Sequence, residues 1–111
     1  MIHLIRTRAT PEQVKEMLEE LQDSIKLAVD IRRGILAGGG ALHTDCESKL
    51  LDDGSRQEDI RGAGWEPDIQ QITYDSVINI RPRQSNFSMT ITEPAMRGRV
   101  QEIIKQLLEG V

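Results

Sequence analysis

GILAGGGALHTD, residues 34–45, joins an apolar run to three consecutive glycines and then to a polar segment. The apolar run at residues 35–37 is typical of a strand, where glycine is a poor choice because it adds backbone entropy and no packing surface. Three glycines in a row therefore indicate that the backbone bends sharply or packs closely at this point. We predict that Gly38, Gly39 and Gly40 are structural residues at the far end of a strand.

The residues on both sides of the glycines predict a hairpin followed by a short helix. Residues 25–31 alternate between apolar and polar side chains, which is typical of a half-buried strand. Residues 32–34, Arg-Arg-Gly, predict a tight turn into an antiparallel partner strand at residues 35–40. Thr44-Asp45-Cys46-Glu47 has the capping-box pattern of a helix start, and Asp53-Gly54 predicts the end of that helix.

The N-terminal part predicts an edge strand and a first long helix. Residues 1–5 form a short apolar run. Thr10 is a suitable helix cap, Pro11 suits the first helical position, and Gln13 completes a capping box. The helix is predicted to end near residues 23 and 24, and its apolar stripe consists of Val14, Met17, Leu18 and Leu21.

The C-terminal part predicts a long loop, a second hairpin and a second long helix. Residues 55–68 are rich in Gly, Asp, Glu and Arg, which favours an ordered loop with one short strand near residues 57–60. Residues 72–80 and 87–91 alternate as two antiparallel strands. Glu93-Pro94 opens the last helix, whose apolar stripe consists of Met96, Val100, Ile103, Ile104, Leu107 and Leu108.

The order of predicted elements is β-α-β-β-(α)-(β)-β-β-α, in which hairpins dominate over repeated β-α-β units. The sequence therefore predicts an α+β fold, with an antiparallel sheet built from hairpins and two long helices packed on one face. A length of 111 residues is that of one domain, so we expect residues 1–111 to form a single domain.

The composition excludes several classes of protein. With 38% hydrophobic residues and a net charge of −4, the chain has the composition of a folded domain rather than of a disordered one. No run approaches the length of a membrane span and the N-terminus lacks the shape of a signal peptide, so we expect a cytoplasmic protein with no membrane partner. A single cysteine excludes an internal disulfide. An isoelectric point near 5.2 disfavours nucleic-acid binding.

The motifs of the chain resemble those of a small uncharacterised family of bacterial proteins of cyanobacterial type, known as a domain of unknown function. The similarity covers nearly the whole chain and is carried by several segments, namely Asp30-Ile31, the glycines 38–40, HTDCE at 43–47, Leu50-Leu51, GSRQED at 54–59, NIRP at 79–82 and Ser88-Met89. The resemblance implies a stand-alone domain and brings no activity, ligand or catalytic residue with it.

Four residues around the second predicted helix suggest a metal-dependent or hydrolytic enzyme. His43, Asp45, Glu58 and Asp59 provide the nitrogen and oxygen ligands that divalent cations bind. Their spacing matches no established metal motif, and helix capping alone accounts for Asp45. This small enzyme is the alternative hypothesis, and the sequence predicts no metal and no cofactor with any specificity.

The favoured hypothesis is a non-catalytic protein-interaction module that forms a homodimer. Residues 45–75 contain nine acids and three bases, a net charge of −6, whereas residues 76–111 contain five bases and three acids, a net charge of +2. An isologous pair would place the acidic segment of one chain near Arg81 and Arg83 of the other. Trp65 lies in a polar segment, so it packs onto the domain, lies exposed or enters a partner; tryptophan is enriched in interfaces. The identity of any small-molecule ligand is left open.

Overall fold

Five strands form one antiparallel sheet in the computed structural model, which describes all residues from 1 to 111. In chain order the strands are β1 (His3–Ile5), β2 (Ile25–Asp30), β3 (Ile35–Gly40), β4 (Ile60–Glu66) and β5 (Gln71–Thr73). Their order across the sheet is β1-β3-β2-β4-β5, and every neighbouring pair is antiparallel. The α+β class and the antiparallel sheet predicted from the sequence are therefore confirmed.

Three helices cover the two faces of the sheet: α1 (Pro11–Met17), α2 (His43–Asp52) and α3 (Pro94–Leu108). Helices α1 and α3 share one face, where a core of 16 buried residues includes Leu27 of β2 and Ile104 of α3. Helix α2 packs on the other face through a smaller core of 7 buried residues that includes Cys46 and Leu50. Because the sheet is covered on both sides, β2 and β3 are buried almost throughout.

Helix α1 begins as predicted and ends earlier. The side chain of Thr10 accepts a hydrogen bond from the backbone N–H of Gln13, and the Gln13 side chain accepts one from the Thr10 N–H, so the capping box is present. The helix stops at Met17, and residues 18–23 form turns and bends in which Gln22 has a φ of +73°. This left-handed residue reverses the chain so that it enters β2 at residue 25.

The two apolar stripes differ in depth, which gives a test of the helix packing. Ile104 is fully buried in the larger core, whereas Leu18 lies just after α1 and is only partly buried. Replacing Ile104 with Ala should lower the free energy of unfolding by roughly 2–5 kcal/mol, as in other buried truncations. The same change at Leu18 should cost clearly less. Urea denaturation of both variants checks this order, and equal losses at the two positions would contradict it.

The predicted start of α2 is wrong by two residues. The helix begins at His43 with Leu42 as its N-cap, and no side chain caps it. Thr44 therefore lies inside the helix, and the Glu47 side chain bonds Arg81 instead of the helix start. A buried carboxylate gains more from a guanidinium than from a capping bond to a backbone N–H.

The predicted loop at residues 55–68 is wrong for half of its length, because residues 60–66 form β4 between β2 and β5. Gly62 and Gly64 of β4 explain both why a loop was predicted here and why the strand needs small residues. A Cβ on Gly62 would lie 2.9 Å from a side-chain carbon of Ile78, and one on Gly64 would clash with Thr73. Small residues are thus required where neighbouring segments pack on the strand. They also interrupt the alternation of apolar and polar side chains by which a strand is predicted.

The second predicted hairpin is also wrong. Only residues 71–73 form a strand; residues 77–79 form a 3-10 helix instead. The hydroxyl of Ser76 accepts a hydrogen bond from the Ile78 N–H at 3.3 Å, and such local bonds compete with strand pairing. The returning segment 87–91 contributes no strand, and two isolated bridges, Asp75–Thr90 and Arg81–Asn86, hold the segments side by side. We call residues 75–90 the 75–90 lobe.

The three glycines of β3 sit at a β-bulge, which fits the structural role predicted for them. Lys26 of β2 pairs with Gly40 and Leu27 pairs with Gly38, so Gly39 is the extra residue and has a φ of +105°. The bulge reverses the alternation of the strand. As a result a Cβ on Gly38 would lie 3.3 Å from Met17 Sδ beside α1, whereas one on Gly40 would lie 3.3 Å from Cys46 Sγ in α2.

No helix of the chain combines the length and the apolar character needed to cross a membrane.

Candidate functional site

An open groove of about 890 Å³ lies between α2 and the 75–90 lobe. One side is formed by Thr44 and Glu47 of α2, and the other by the lobe from Val77 to Gln84, with Gln57 and Glu58 at one end. Only three of its 11 lining residues are hydrophobic. The groove is therefore a mixed surface rather than an enclosed apolar pocket.

Arg81 lines this groove, and its side chain is bonded to neighbouring residues of the same protomer. Its Nε donates to the carbonyl oxygen of Ile78 at 2.9 Å and its Nη1 to that of Gln57 at 2.6 Å. Its Nη2 donates to Glu47 Oε2 at 3.2 Å, and both side chains of this ion pair are close to nine-tenths buried. Of the predicted contact residues, Arg81 thus fastens α2 to the lobe, and each of its three side-chain nitrogens already donates a hydrogen bond within the protomer.

Arg83 has the opposite environment. Its side chain is exposed on the rim of the groove and takes part in none of the ion pairs or hydrogen bonds of the chain. Glu58 lines the same groove, and its carboxylate is held only by an exposed contact of 3.9 Å with Arg56. The groove therefore presents one free cation and one weakly held anion.

The 75–90 lobe carries a concentration of exposed apolar side chains. Four of the eight large hydrophobic residues that are exposed in the chain belong to it, namely Val77 (59% exposed), Ile80 (44%), Phe87 (76%) and Met89 (51%). Scattered single apolar residues are normal on protein surfaces, whereas several within one short segment are typical of a contact site.

The side chain of Asn79 fixes this lobe on the sheet. Its side chain is fully buried, with Oδ1 accepting from the Gly62 N–H at 2.8 Å and Nδ2 donating to the Gly62 carbonyl at 2.9 Å. Nδ2 also lies 3.1 Å from the carbonyl oxygen of Tyr74 and 3.0 Å from that of Met89. Since β5 pairs only residues 64–66 of β4, the amide of Asn79 takes the place of a neighbouring strand beside Gly62.

The side chain of Asn86 also holds the backbone of the lobe in place. Its Nδ2 donates to the carbonyl oxygens of Asn79 at 2.7 Å and Ser88 at 2.6 Å, and its Oδ1 accepts from Thr92. The lobe has almost no regular secondary structure, yet its backbone is tied by two asparagine amides. Sequence patterns indicate neither role, because Asn79 occupies a polar position of a predicted strand and Asn86 lies between the two predicted strands.

Trp65 lies elsewhere than the interface prediction requires. It belongs to β4 and is 1% exposed, within the core shared by α1 and α3. Of the three environments considered for it, packing onto its own domain is the one observed. Its indole ring is therefore absent from the surface of the protomer.

The four residues of the enzyme hypothesis do not come together. His43 Nε2 donates to the carbonyl oxygen of Ala63 at 2.8 Å, and Asp59 is paired with Arg32 at 2.8 Å. Asp45 is exposed in the first turn of α2, and Glu58 is exposed on the 3-10 turn before β4. No group of three or more His, Cys, Asp and Glu side chains is placed to hold a metal ion.

Of the histidine and the cysteine at the start of α2, His43 is partly buried and Cys46 is fully buried. Burial lowers the pKa of His43, with Lys26 adding to the effect, although the hydrogen bond to Ala63 opposes it. Burial raises the pKa of the Cys46 thiol, which donates to the Lys26 carbonyl at 3.4 Å. A neutral imidazole and a protonated thiol are structural groups here, since the thiolate is the reactive form of cysteine.

The chain belongs to a family described as a protein of unknown function (DUF5674), whose model matches residues 3–107. This agrees with the domain of unknown function that the sequence motifs resemble. Neither a curated protein nor a solved structure matches the chain significantly. The groove and the 75–90 lobe therefore have to be interpreted from their own geometry.

Proposed function

We propose that the protein is a non-catalytic interaction module that forms a homodimer through the 75–90 lobe. The observation that carries this proposal is the presence of four exposed apolar side chains on a lobe whose backbone is fixed by Asn79 and Asn86. A fixed backbone loses little conformational entropy on association, so the exposed side chains are ready for a partner.

A second copy of the chain is the partner that the charges favour. Arg83 and Glu58 line the same groove and neither has a strong partner within the protomer. In an isologous pair each contact occurs twice, so Arg83 of one protomer meets Glu58 of the other and the reverse. A surface that carries both signs of charge together with exposed apolar residues, here Val77 and Ile80, is thus complementary to itself.

The geometry favours this module over the other classes considered. An enzyme using His43, Asp45, Glu58 and Asp59 would need these side chains to converge, and they are engaged or exposed at separate places. A net charge of −4 favours a protein partner over a nucleic acid. A buried free thiol suits a reducing compartment, so we propose the bacterial cytoplasm as the place of action.

Replacing Phe87 with Ala tests the interface, because Phe87 is the most exposed large apolar residue of the lobe. A dimer that uses this ring should dissociate about tenfold more readily in the variant, as for truncation of an aromatic anchor. Sedimentation equilibrium over a concentration series measures the change. The matched control is Ile69→Ala, since Ile69 is 61% exposed and lies outside the lobe. A monomeric parent chain at high micromolar concentration, or equal effects of both variants, would overturn the proposal.

Charge reversal tests the orientation of the two copies. Arg83→Glu and Glu58→Arg should each weaken the dimer by placing like charges together, while the chain carrying both changes should regain it. The pair is exposed, so the recovery should be largest at low ionic strength. A double variant as weak as the single ones would exclude this pairing.

A further inference from the structure

A second cavity, of about 430 Å³, is lined by residues of the 75–90 lobe and of the segment at the start of α3. Arg61 of β4 lines it together with Ser85, Glu93, Ile91 and Met96. The exposed apolar and charged residues of the proposed dimer surface do not line it, and neither do the residues of the enzyme hypothesis. Its volume lies within the range that holds a small organic molecule.

Arg61 is unusual among the arginines of the chain because it is buried without an acidic partner. It is 4% exposed and takes part in none of the ion pairs. Its Nη1 donates to the carbonyl oxygens of Glu58 and Ile60, both at 2.9 Å. Its Nε and Nη2 have no partner within the protein, yet they are not among the polar atoms closed off from solvent. These two donors are therefore accessible from the cavity.

A buried guanidinium with two free donors and no acidic partner lacks a negative charge to balance its own. Burial lowers the pKa of Arg61, and the charge of Arg81 adds to this, while Asp59 and Glu93 only partly offset it. An arginine of this kind is stabilised by an anion that accepts from both free nitrogens.

We propose that this cavity binds the oxyanion of a small molecule, a carboxylate or a phosphate, through Nε and Nη2 of Arg61. The hydroxyl of Ser85 has no partner within the chain and supplies a further donor at the rim. The amide groups of Asn86 and Gln84 are already bonded to backbone carbonyls, so they shape the cavity instead of binding the ligand. Ile91 and Met96 provide an apolar surface for a short hydrocarbon part.

Glu93 decides between the two oxyanions. Its exposed carboxylate lines the same cavity and repels additional negative charge. A carboxylate with one charge is thus favoured over a phosphate that carries more at neutral pH. Removing the charge of Glu93 should strengthen binding of either ion.

Nuclear magnetic resonance of the intact 15N-labelled chain tests the proposal by following the Arg61 Nε–H signal. Acetate and inorganic phosphate are added in separate series at constant ionic strength. Acetate should shift the signal and saturate at about 1–10 mM, the range open to so small a ligand. Saturation by acetate at lower concentration identifies a carboxylate site, and the reverse order identifies a phosphate site. A signal that saturates with neither ion overturns the proposal.

Three variants separate this site from a structural arginine. Glu93→Gln should tighten acetate binding about twofold to fivefold, the effect of one partly exposed charge, and an unchanged or weaker affinity contradicts the site. Arg61→Lys should weaken it about tenfold or more because the planar fork is lost. Arg6→Lys, at an exposed position outside both the cavity and the proposed dimer surface, should leave it unchanged. If Arg61→Lys does not fold, the titrations of the parent chain and of Glu93→Gln still decide the matter.

Discussion

Replacing Asn79 with Asp should lower the free energy of unfolding by roughly 3–5 kcal/mol, a large part of the 5–15 kcal/mol typical of a domain. The change keeps the shape of the side chain and the acceptor for the Gly62 N–H, and it removes the donor. The carbonyl oxygens of Gly62, Tyr74 and Met89 then face a buried negative charge instead of an N–H₂ group. Thermal and urea unfolding measure the loss.

The matched control is Asn86→Asp, the same chemical change at the other asparagine that holds the lobe. Asn86 is only partly buried, so water can replace part of what it loses, and the cost should be about 1–2 kcal/mol. Lowering the pH protonates the carboxyl group of Asn79→Asp and returns one donor, so part of its deficit should be recovered in acid. Equal losses at both positions would show that Asn79 has no special place in the lobe.

Replacing Gly39 with Ala is the second change for which we expect a large loss, about 3–5 kcal/mol when backbone strain and overpacking are combined. The φ of +105° is unfavourable for any L side chain. A Cβ there would also collide with the Met1 carbonyl oxygen and lie 2.9 Å from Met17 Cα, and these backbone atoms cannot turn away as a side chain does. Chemical denaturation measures this loss.

Two other glycines separate strain from collision. Gly54 has a φ of +100° and nothing within 4 Å of an added Cβ, so Gly54→Ala should cost only the strain, about 1–2 kcal/mol. Gly98 lies inside α3 with open space around it, so Gly98→Ala should stabilise the chain by up to about 1 kcal/mol. The collision at Gly39 is refuted if Gly39→Ala and Gly54→Ala lose the same amount.

The sequence predicted those elements whose pattern comes from one buried face. Helix α3 and the hairpin of β2 and β3 have clear periodicity, and the predictions for them are confirmed. Strand β4 was missed because both of its faces are covered and its glycines replace the expected alternation. The segment after β5 alternates like a strand, but Ser76 and Asn79 satisfy the backbone through their side chains and so remove the need for a ladder.

The candidate site was predictable only in part for a related reason. Arg83 was predicted as an interface residue from the distribution of charge along the chain, and its side chain is exposed. Arg81 has the same charge two residues earlier, yet its contacts with Glu47 and Gln57 depend on where α2 lies. The free donors of Arg61 depend likewise on tertiary packing, and no local pattern indicates them.

The position of Trp65 provides a fluorescence signal for the folding of the sheet. It is the one tryptophan of the chain, it is 1% exposed, and its Nε1 has no hydrogen-bond partner. An indole in such dry surroundings emits at shorter wavelength than one in water, so unfolding moves the emission to the red. Trp65 pairs with Ile25 of β2 on one side and with Ile72 of β5 on the other. The emission wavelength of Trp65 therefore reports whether β4 is paired with both β2 and β5.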